Sequence, residues 1–146
     1  QESKYRSGTS NWPTNVSMAK ALRLCLRDLD NTYNYVLKLW NKLYEGFKDN
    51  ELIHINSNKN HSPFIFNFSI STLTSEVLVH SLEEKGFCVS TVSACGSKIS
   101  KGSYVIRSMY HNDNYASSSI RVSLSKLVKE NDIDLFIKSV KEIIRK

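Results

Sequence analysis

The sequence lacks any apolar run long enough to cross a lipid bilayer. No stretch approaches the roughly 20 consecutive apolar residues that a membrane-spanning helix needs. The sequence also lacks the basic and then apolar opening of a secretion signal. Together these two absences predict a chain with no membrane partner.

Potential metal ligands are sparse as well. The chain has three cysteines and four histidines, dispersed along the sequence and without a C-x-x-C pair. A structural zinc site usually takes four clustered ligands, so we expect no metal site. An odd number of dispersed cysteines is typical of reduced thiols, which predicts a cytoplasmic location.

Acidic residues are fewer than basic ones. The chain has 14 Asp and Glu and 20 Lys and Arg, which gives a net charge of +6. A basic balance can indicate a nucleic-acid or acidic partner. The basic residues are scattered, however, and they do not alternate with aromatic residues as in a single-strand binding platform. The sequence therefore predicts a mildly basic, solvated surface and no nucleic-acid partner.

What the chain does contain is the material for a folded core. Its 146 residues are 40% hydrophobic and 23% charged, as in ordinary globular domains. A domain of this length can fold without disulfide or metal cross-links. The first residue is Gln1 rather than Met, so we expect the chain to be a piece of a longer protein.

The first half of the chain has helical periodicity. Asn11 is a potential N-cap and Pro13 suits a first helical turn. Apolar residues then recur mostly at steps of three, four or seven, which predicts helix over residues 14–48. This is either one long helix or two with a break near Asp30. The apolar face includes Cys25, Trp40 and Phe47, which we expect to be buried.

The second half alternates short strands with helices. Residues 51–56, 64–70, 87–92 and 119–124 are predicted strands, and Cys88 in the third is expected to be half-buried. Helices are predicted from Thr74 or Ser75 to Lys85, over 104–110 and over 130–145. The pattern favours an α+β fold: a small, mostly antiparallel sheet with helices on one face.

Cys95 is the thiol with the most reactive surroundings. It lies in a predicted loop, residues 93–102, among small residues and three positions before Lys98. Positive charge lowers the pKa of a thiol and so raises the fraction of nucleophilic thiolate. Taken alone, Cys95 is either a functional nucleophile or an incidental loop cysteine.

Two further candidates could bind anions. Arg121 lies in a predicted strand whose neighbours Ile120 and Val122 point the other way. It can face solvent, form an ion pair, or grip a carboxylate through two parallel hydrogen bonds. Residues 6–9, Arg-Ser-Gly-Thr, precede the first helix and form either a phosphate cradle or an ordinary cap.

These segments resemble, in order and spacing, the C-terminal region of a cysteine desulfurase of the class V aminotransferase group. Residues 6–11 resemble the family's R-S-G-T-x-N, and residues 89–95 resemble its V-S-S-G-S-A-C loop. Residues 118–124 resemble its S-S-I-R-F-S-L strand, and residues 103–107 its S-x-V-L-R helix. The resemblance implies the C-terminal domain of a fold-type I pyridoxal-phosphate enzyme.

The resemblance implies a role for three residues. Cys95 matches the cysteine that takes sulfur from L-cysteine and carries it as a persulfide, leaving L-alanine. Arg121 matches the arginine that binds the substrate carboxylate. Thr9 matches the threonine that contacts the phosphate of pyridoxal 5'-phosphate across a homodimer interface. The family passes the sulfur to an acceptor such as an iron–sulfur scaffold or a tRNA-thiolation protein.

The chain also departs from the family. Val92 replaces the glycine before Ser-Ala-Cys, which stiffens the approach to the loop. No Ser-x-His-Lys segment, which carries the family's cofactor lysine, occurs in these 146 residues. We therefore expect the isolated chain to be inactive.

The resemblance implies three parts: residues 1–13, the end of a cofactor-domain segment; 14–48, a long connecting helix; and 49–146, a small C-terminal domain. Two other functions stay open. One is a class V relative such as a selenocysteine lyase or an aminotransferase. The other is a non-catalytic module that docks sulfur acceptors through its basic surface.

Overall fold

The computed structural model describes residues 8–58, 60, 62–91 and 102–145. The chain divides into two compact units, residues 1–32 and 33–146. Each unit is described by itself below. The division at residues 13 and 48 that the resemblance implies stays a prediction.

The first helix, α1, spans Trp12–Arg27. The predicted cap is confirmed, because Asn11 Oδ1 accepts a hydrogen bond from the Thr14 N–H at 3.3 Å and Pro13 lies in the first turn. No side chain of α1 is buried, and Cys25 is exposed. The expected burial of Cys25 is therefore wrong, because among the described residues of its unit no second layer covers the apolar face of α1.

The predicted helical segment is two helices rather than one. The α2 helix spans Leu29–Phe47, and the break lies at Asp28, two residues before Asp30. Asp28 leaves helical geometry at φ −120° and ψ 19°. Its carboxylate accepts hydrogen bonds from Asn31 Nδ2 at 3.4 Å and from Thr32 Oγ1 at 3.2 Å. These side-chain hydrogen bonds link Asp28 to the first turn of α2.

Four short strands form one antiparallel sheet in the order β1-β2-β4-β3. The strands are β1 (Ile53–Ile55), β2 (Ile65–Ile70), β3 (Ser90–Thr91) and β4 (Ser119–Ser123). All four predicted strands are confirmed, although β3 is shorter than predicted within the described residues. Cys88 lies before β3 and is exposed rather than half-buried, because no neighbouring strand pairs with it.

One face of the sheet carries the core. Phe66 and Phe68 of β2 and Ile120 of β4 are completely buried there. They pack against α2 and two further helices, α3 (Ser75–Glu83) and α6 (Glu130–Ile144). The predicted core roles of Trp40 and Phe47 are confirmed, since their rings lie 5.5 Å from Phe66 and 5.2 Å from Phe68, respectively.

Two small helices contact the opposite face. The α4 helix spans Tyr104–Tyr110, as predicted, and α5 spans Asp113–Ser117, for which no helix was predicted. Asn112 caps α5, its Oδ1 accepting hydrogen bonds from the Asn114 and Tyr115 N–H groups. The sheet therefore has helices on both faces rather than on one.

The predicted α+β class with a small antiparallel sheet is confirmed. Across the described parts of the chain, no helix combines the length and the apolar character needed to cross a membrane.

Candidate functional site

The sheet has a polar face, opposite the core, where the candidate site lies. Because side chains alternate along a strand, the partners of the core residues point to this face. The strand register places Asn67 of β2, Arg121 of β4 and Ser90 of β3 directly opposite one another. We call these three side chains the central row.

Arg121 stands in the middle of the central row. It is exposed, whereas its neighbours Ile120 and Val122 are 0% and 7% exposed on the core face. The sequence-based placement of these three side chains is therefore confirmed. Within residues 8–58, 60, 62–91 and 102–145, Arg121 forms no ion pair. Arg121 thus lies between two paired strands, and its guanidinium is available to an anion.

A buried hydrogen-bond network supports the β2 side of the central row. Asn56 is only 3% exposed, and its Nδ2 donates to Asn67 Oδ1 at 2.7 Å and to Ser69 Oγ at 2.8 Å. Asn67 Oδ1 accepts a second hydrogen bond from Ser119 Oγ at 3.0 Å. Ser69 Oγ donates in turn to the Tyr115 carbonyl at 2.8 Å. The network fixes the orientation of the Asn67 amide.

Sequence reasoning missed Asn67. The available signal was a single amide that interrupts the apolar run Phe-Ile-Phe-Asn-Phe in β2. In the sequence alone, such an amide is indistinguishable from a solvated residue on the outer face of a strand. The orientation of the Asn67 amide depends on hydrogen bonds from Asn56 and Ser119, which are distant in the sequence and are brought close to Asn67 by the fold.

His54 of β1 lies beside this network, between two tyrosines. Its ring stacks on Tyr115 with centroids 4.2 Å apart and meets Tyr110 edge-on at 4.9 Å. His54 Nε2 is buried and has no hydrogen-bond partner in the described part of the chain. Burial lowers the pKa of His54 below its ordinary value of 6.5, since the charged ring would lose water without gaining an acceptor.

The lowered pKa of His54 predicts a loss of stability in mild acid. The unfolded chain binds this proton at a higher pH than the folded chain, so the folded state loses stability as pH falls below about 6.5. In urea unfolding of the 146-residue chain, His54→Gln should reduce the slope of the unfolding free energy against pH between about 7.5 and 5.5.

The control for His54 is His80→Gln, because the His80 side chain is 80% exposed and on α3. It removes a histidine from the surface and is the matched substitution with which the slope of His54→Gln is compared. Equal slopes in the unmodified chain and in His54→Gln would contradict the claim that His54 causes the loss of stability in mild acid.

Thr9 lies in the smaller unit, in the segment before α1. Its side chain is exposed, and the preceding Gly8 has a φ of 137°, a backbone conformation that favours glycine. A Cβ on Gly8 would meet no atom within 4 Å, so open space lies above the backbone there. An exposed hydroxyl, open backbone and the start of a helix fit a phosphate group. Among residues 8–11, which the structure describes in this segment, nothing further fits the ring of a cofactor.

Cys95 lies outside the described residues. It follows Thr91, the last residue of β3, by four positions in the sequence. The other two cysteines, Cys25 and Cys88, are exposed and unpaired. Within the ranges that the structure describes, no three His, Cys, Asp or Glu side chains form a group that could hold a metal ion.

Comparison with known proteins gives a match along almost the whole chain. The family model described as aminotransferase class-V matches residues 1–136. The chain is 36% identical over 146 residues to cysteine desulfurase IscS of Buchnera aphidicola subsp. Baizongia pistaciae, covering 99% of this chain and 36% of that protein. IscS of Vibrio vulnificus strain CMCP6 matches with the same identity and coverage.

The fold has a solved counterpart. The X-ray structure of a NifS-like protein from Rickettsia africae ESF-5 superposes with a TM-score of 0.82 at 27% identity. The match covers 100% of this chain and 38% of that one. The chain therefore spans little more than a third of the length of the relatives it matches.

Proposed function

Because the chain belongs to the class V aminotransferase family, we propose that it is the C-terminal part of a cysteine desulfurase. The full-length protein would convert L-cysteine to L-alanine and pass the sulfur to an acceptor. The observation that carries this proposal is the 36% identity to IscS proteins across 99% of the chain. The exposed Arg121 on the polar face of the sheet supplies the matching chemistry.

Arg121 binds the α-carboxylate of the substrate. A guanidinium presents two parallel N–H donors to the two carboxylate oxygens and so fixes the orientation of the amino acid as well as its position. The strand pairing on both sides of Arg121 limits movement of its backbone. Orientation matters because the bonds at the substrate Cα must be aligned with the cofactor before they react.

Cys95 takes the sulfur. Its thiolate attacks the substrate sulfur, a new S–S bond forms, and the Cβ–S bond of the substrate breaks. The carbon takes up a proton and leaves as L-alanine, while Cys95 holds the persulfide. In the sequence, Cys95 follows Thr91, the last residue of β3, by four positions.

Pyridoxal 5'-phosphate is the proposed cofactor. When bound, it withdraws electrons from the substrate carbon, which no protein side chain can do as well. Thr9 would contribute its hydroxyl to the phosphate. The lysine that holds the cofactor is proposed to lie in another part of the full-length protein, since the 146 residues contain no Ser-x-His-Lys segment.

The proposed acceptor is an iron–sulfur scaffold or a thiolation protein, and the proposed location is the cytoplasm. We also propose that the full-length protein is a homodimer. The exposed apolar residues of α1 are consistent with a surface that another part of the full-length protein or a second copy covers. They are Trp12, Val16, Met18, Leu22 and Leu26.

The proposal is tested by product analysis. Full-length protein loaded with pyridoxal 5'-phosphate should release L-alanine from L-cysteine when a thiol reductant removes the persulfide. The 146-residue chain alone should release none, because it lacks the cofactor lysine. Transamination of L-cysteine without alanine would favour the aminotransferase alternative, and exclusive use of L-selenocysteine would favour the lyase. Alanine release by the isolated chain would contradict the proposal that the cofactor lysine lies in another part of the full-length protein.

A further inference from the structure

The central row contains a hydrogen-bond donor that no role assigned above uses. Asn67 Oδ1 already accepts hydrogen bonds from Asn56 Nδ2 and Ser119 Oγ. Its amide orientation is therefore fixed, and Nδ2 carries the two remaining donors. Within the ranges that the structure describes, Asn67 Nδ2 donates to no other residue. Asn67 is half-buried, so the donor is open to a small ligand.

Asn67 is also one of the two residues that pair directly with Arg121. The two residues are directly paired between β2 and β4. Side chains paired in this way have Cβ atoms about 4.5–5.5 Å apart on the same face of the sheet. A ligand that contacts the Arg121 guanidinium is therefore within reach of the Asn67 amide.

The other neighbour of Arg121, Ser90, is less suited to donate a hydrogen bond to a bound ligand. Ser90 pairs with Arg121 from β3, but its hydroxyl already donates to the Thr91 carbonyl at 3.1 Å. A carboxylate has acceptor positions left after a guanidinium has taken two of them. Of the two residues that flank Arg121 in the central row, only Asn67 has a donor free to fill one.

We propose that Asn67 is a second binding residue for the substrate α-carboxylate, donating a hydrogen bond from Nδ2 while Arg121 supplies the charge. This inference rests on the proposed function. The buried network holds the amide ready before the ligand arrives, so binding costs little side-chain entropy. Asn67 would also favour a carboxylate over a neutral amide, because a carboxylate only accepts hydrogen bonds whereas an amide NH₂ donates them.

The test uses Asn67→Asp in full-length protein loaded with pyridoxal 5'-phosphate. The change keeps the shape and the oxygen that Asn56 and Ser119 bind, but it replaces the donor by an acceptor. Calorimetry would measure the dissociation constants of L-alanine and of L-alaninamide. The dissociation constant of L-alanine should rise relative to that of L-alaninamide by at least about 10-fold, because the variant loses a hydrogen bond to a charged group and places a second negative charge beside the carboxylate. KM for L-cysteine should rise by a similar factor, with a smaller change in kcat.

Asn131→Asp is the matched control, because it introduces the same charge at an exposed position of α6. It should leave both dissociation constants unchanged. Asn67→Ser is measured alongside Asn67→Asp and also serves if that variant fails to fold, since its shorter side chain adds no charge and holds its hydroxyl farther from the ligand than the amide of asparagine. It should weaken L-alanine binding in the same direction.

The outcomes separate this inference from the proposed function. Alanine release by the unmodified protein together with unchanged selectivity in folded Asn67→Asp or Asn67→Ser would overturn the role of Asn67 alone. A lowered kcat with unchanged KM and unchanged L-alanine affinity would also overturn it. Failure of the unmodified protein to release alanine would instead overturn the proposed function.

Discussion

Replacing Cys95 with serine in the full-length protein is expected to abolish sulfur transfer from L-cysteine. A serine hydroxyl is not ionised at neutral pH and is a far weaker nucleophile toward sulfur than a thiolate. Removal of a catalytic nucleophile commonly costs at least about 1,000-fold in turnover. The measurement is the rate of L-alanine formation from L-cysteine in the presence of a reductant.

The chain offers two matched controls for Cys95. Cys25 and Cys88 are both exposed thiols, so their replacement by serine should leave the fold and the rate largely unchanged. Each control removes one sulfur and adds one hydroxyl, as Cys95→Ser does. Survival of desulfurase activity in Cys95→Ser would show that Cys95 is not the sulfur carrier.

Replacing Arg121 with glutamine should reduce kcat/KM for L-cysteine by about 100-fold, mainly through a higher KM. Two hydrogen bonds to a charged group contribute about 3 kcal/mol, and each 1.4 kcal/mol corresponds to a factor of ten. Steady-state kinetics with L-cysteine measures the effect. Arg121 is exposed on the polar face, so the substitution should leave the unfolding free energy nearly unchanged.

Two further variants show whether shape or charge matters at Arg121. Arg121→Lys keeps the positive charge but loses the planar pair of donors, so it should recover only part of the lost activity. Arg145→Gln removes an exposed arginine just beyond α6 and should have no effect. Equal kinetics for Arg121→Gln and Arg145→Gln would contradict carboxylate binding by Arg121.

The elements with strong local signals could be predicted from the sequence. The alternation of Phe66, Phe68 and Ile70 predicts β2 and its buried face, and the periodic apolar residues predict α6. Such patterns report directly which side of a strand or helix is buried. The position of Arg121 on the opposite face from Ile120 follows from the same alternation.

The errors arise where burial depends on neighbours rather than on pattern. Cys25 lies on a periodic apolar face, yet it is exposed because the described residues of its unit provide no second layer. The short α5 was missed because a single cap, Asn112, nucleates it within a polar segment. Asn67 could not be identified because its hydrogen-bond partners come from two other segments. Long-range pairing of this kind leaves little trace in the local sequence.

Peptide mass spectrometry tests most directly whether Cys95 carries the sulfur. Trypsin cleavage after Lys85 and Lys98 releases residues 86–98, which contain both Cys88 and Cys95. Cys88→Ser removes the ambiguity, so this variant of the full-length protein should be incubated with L-cysteine and digested without reductant. The account predicts that this peptide gains the mass of one sulfur atom and that fragmentation places it on Cys95. An unmodified peptide, while alanine is being released, would contradict it.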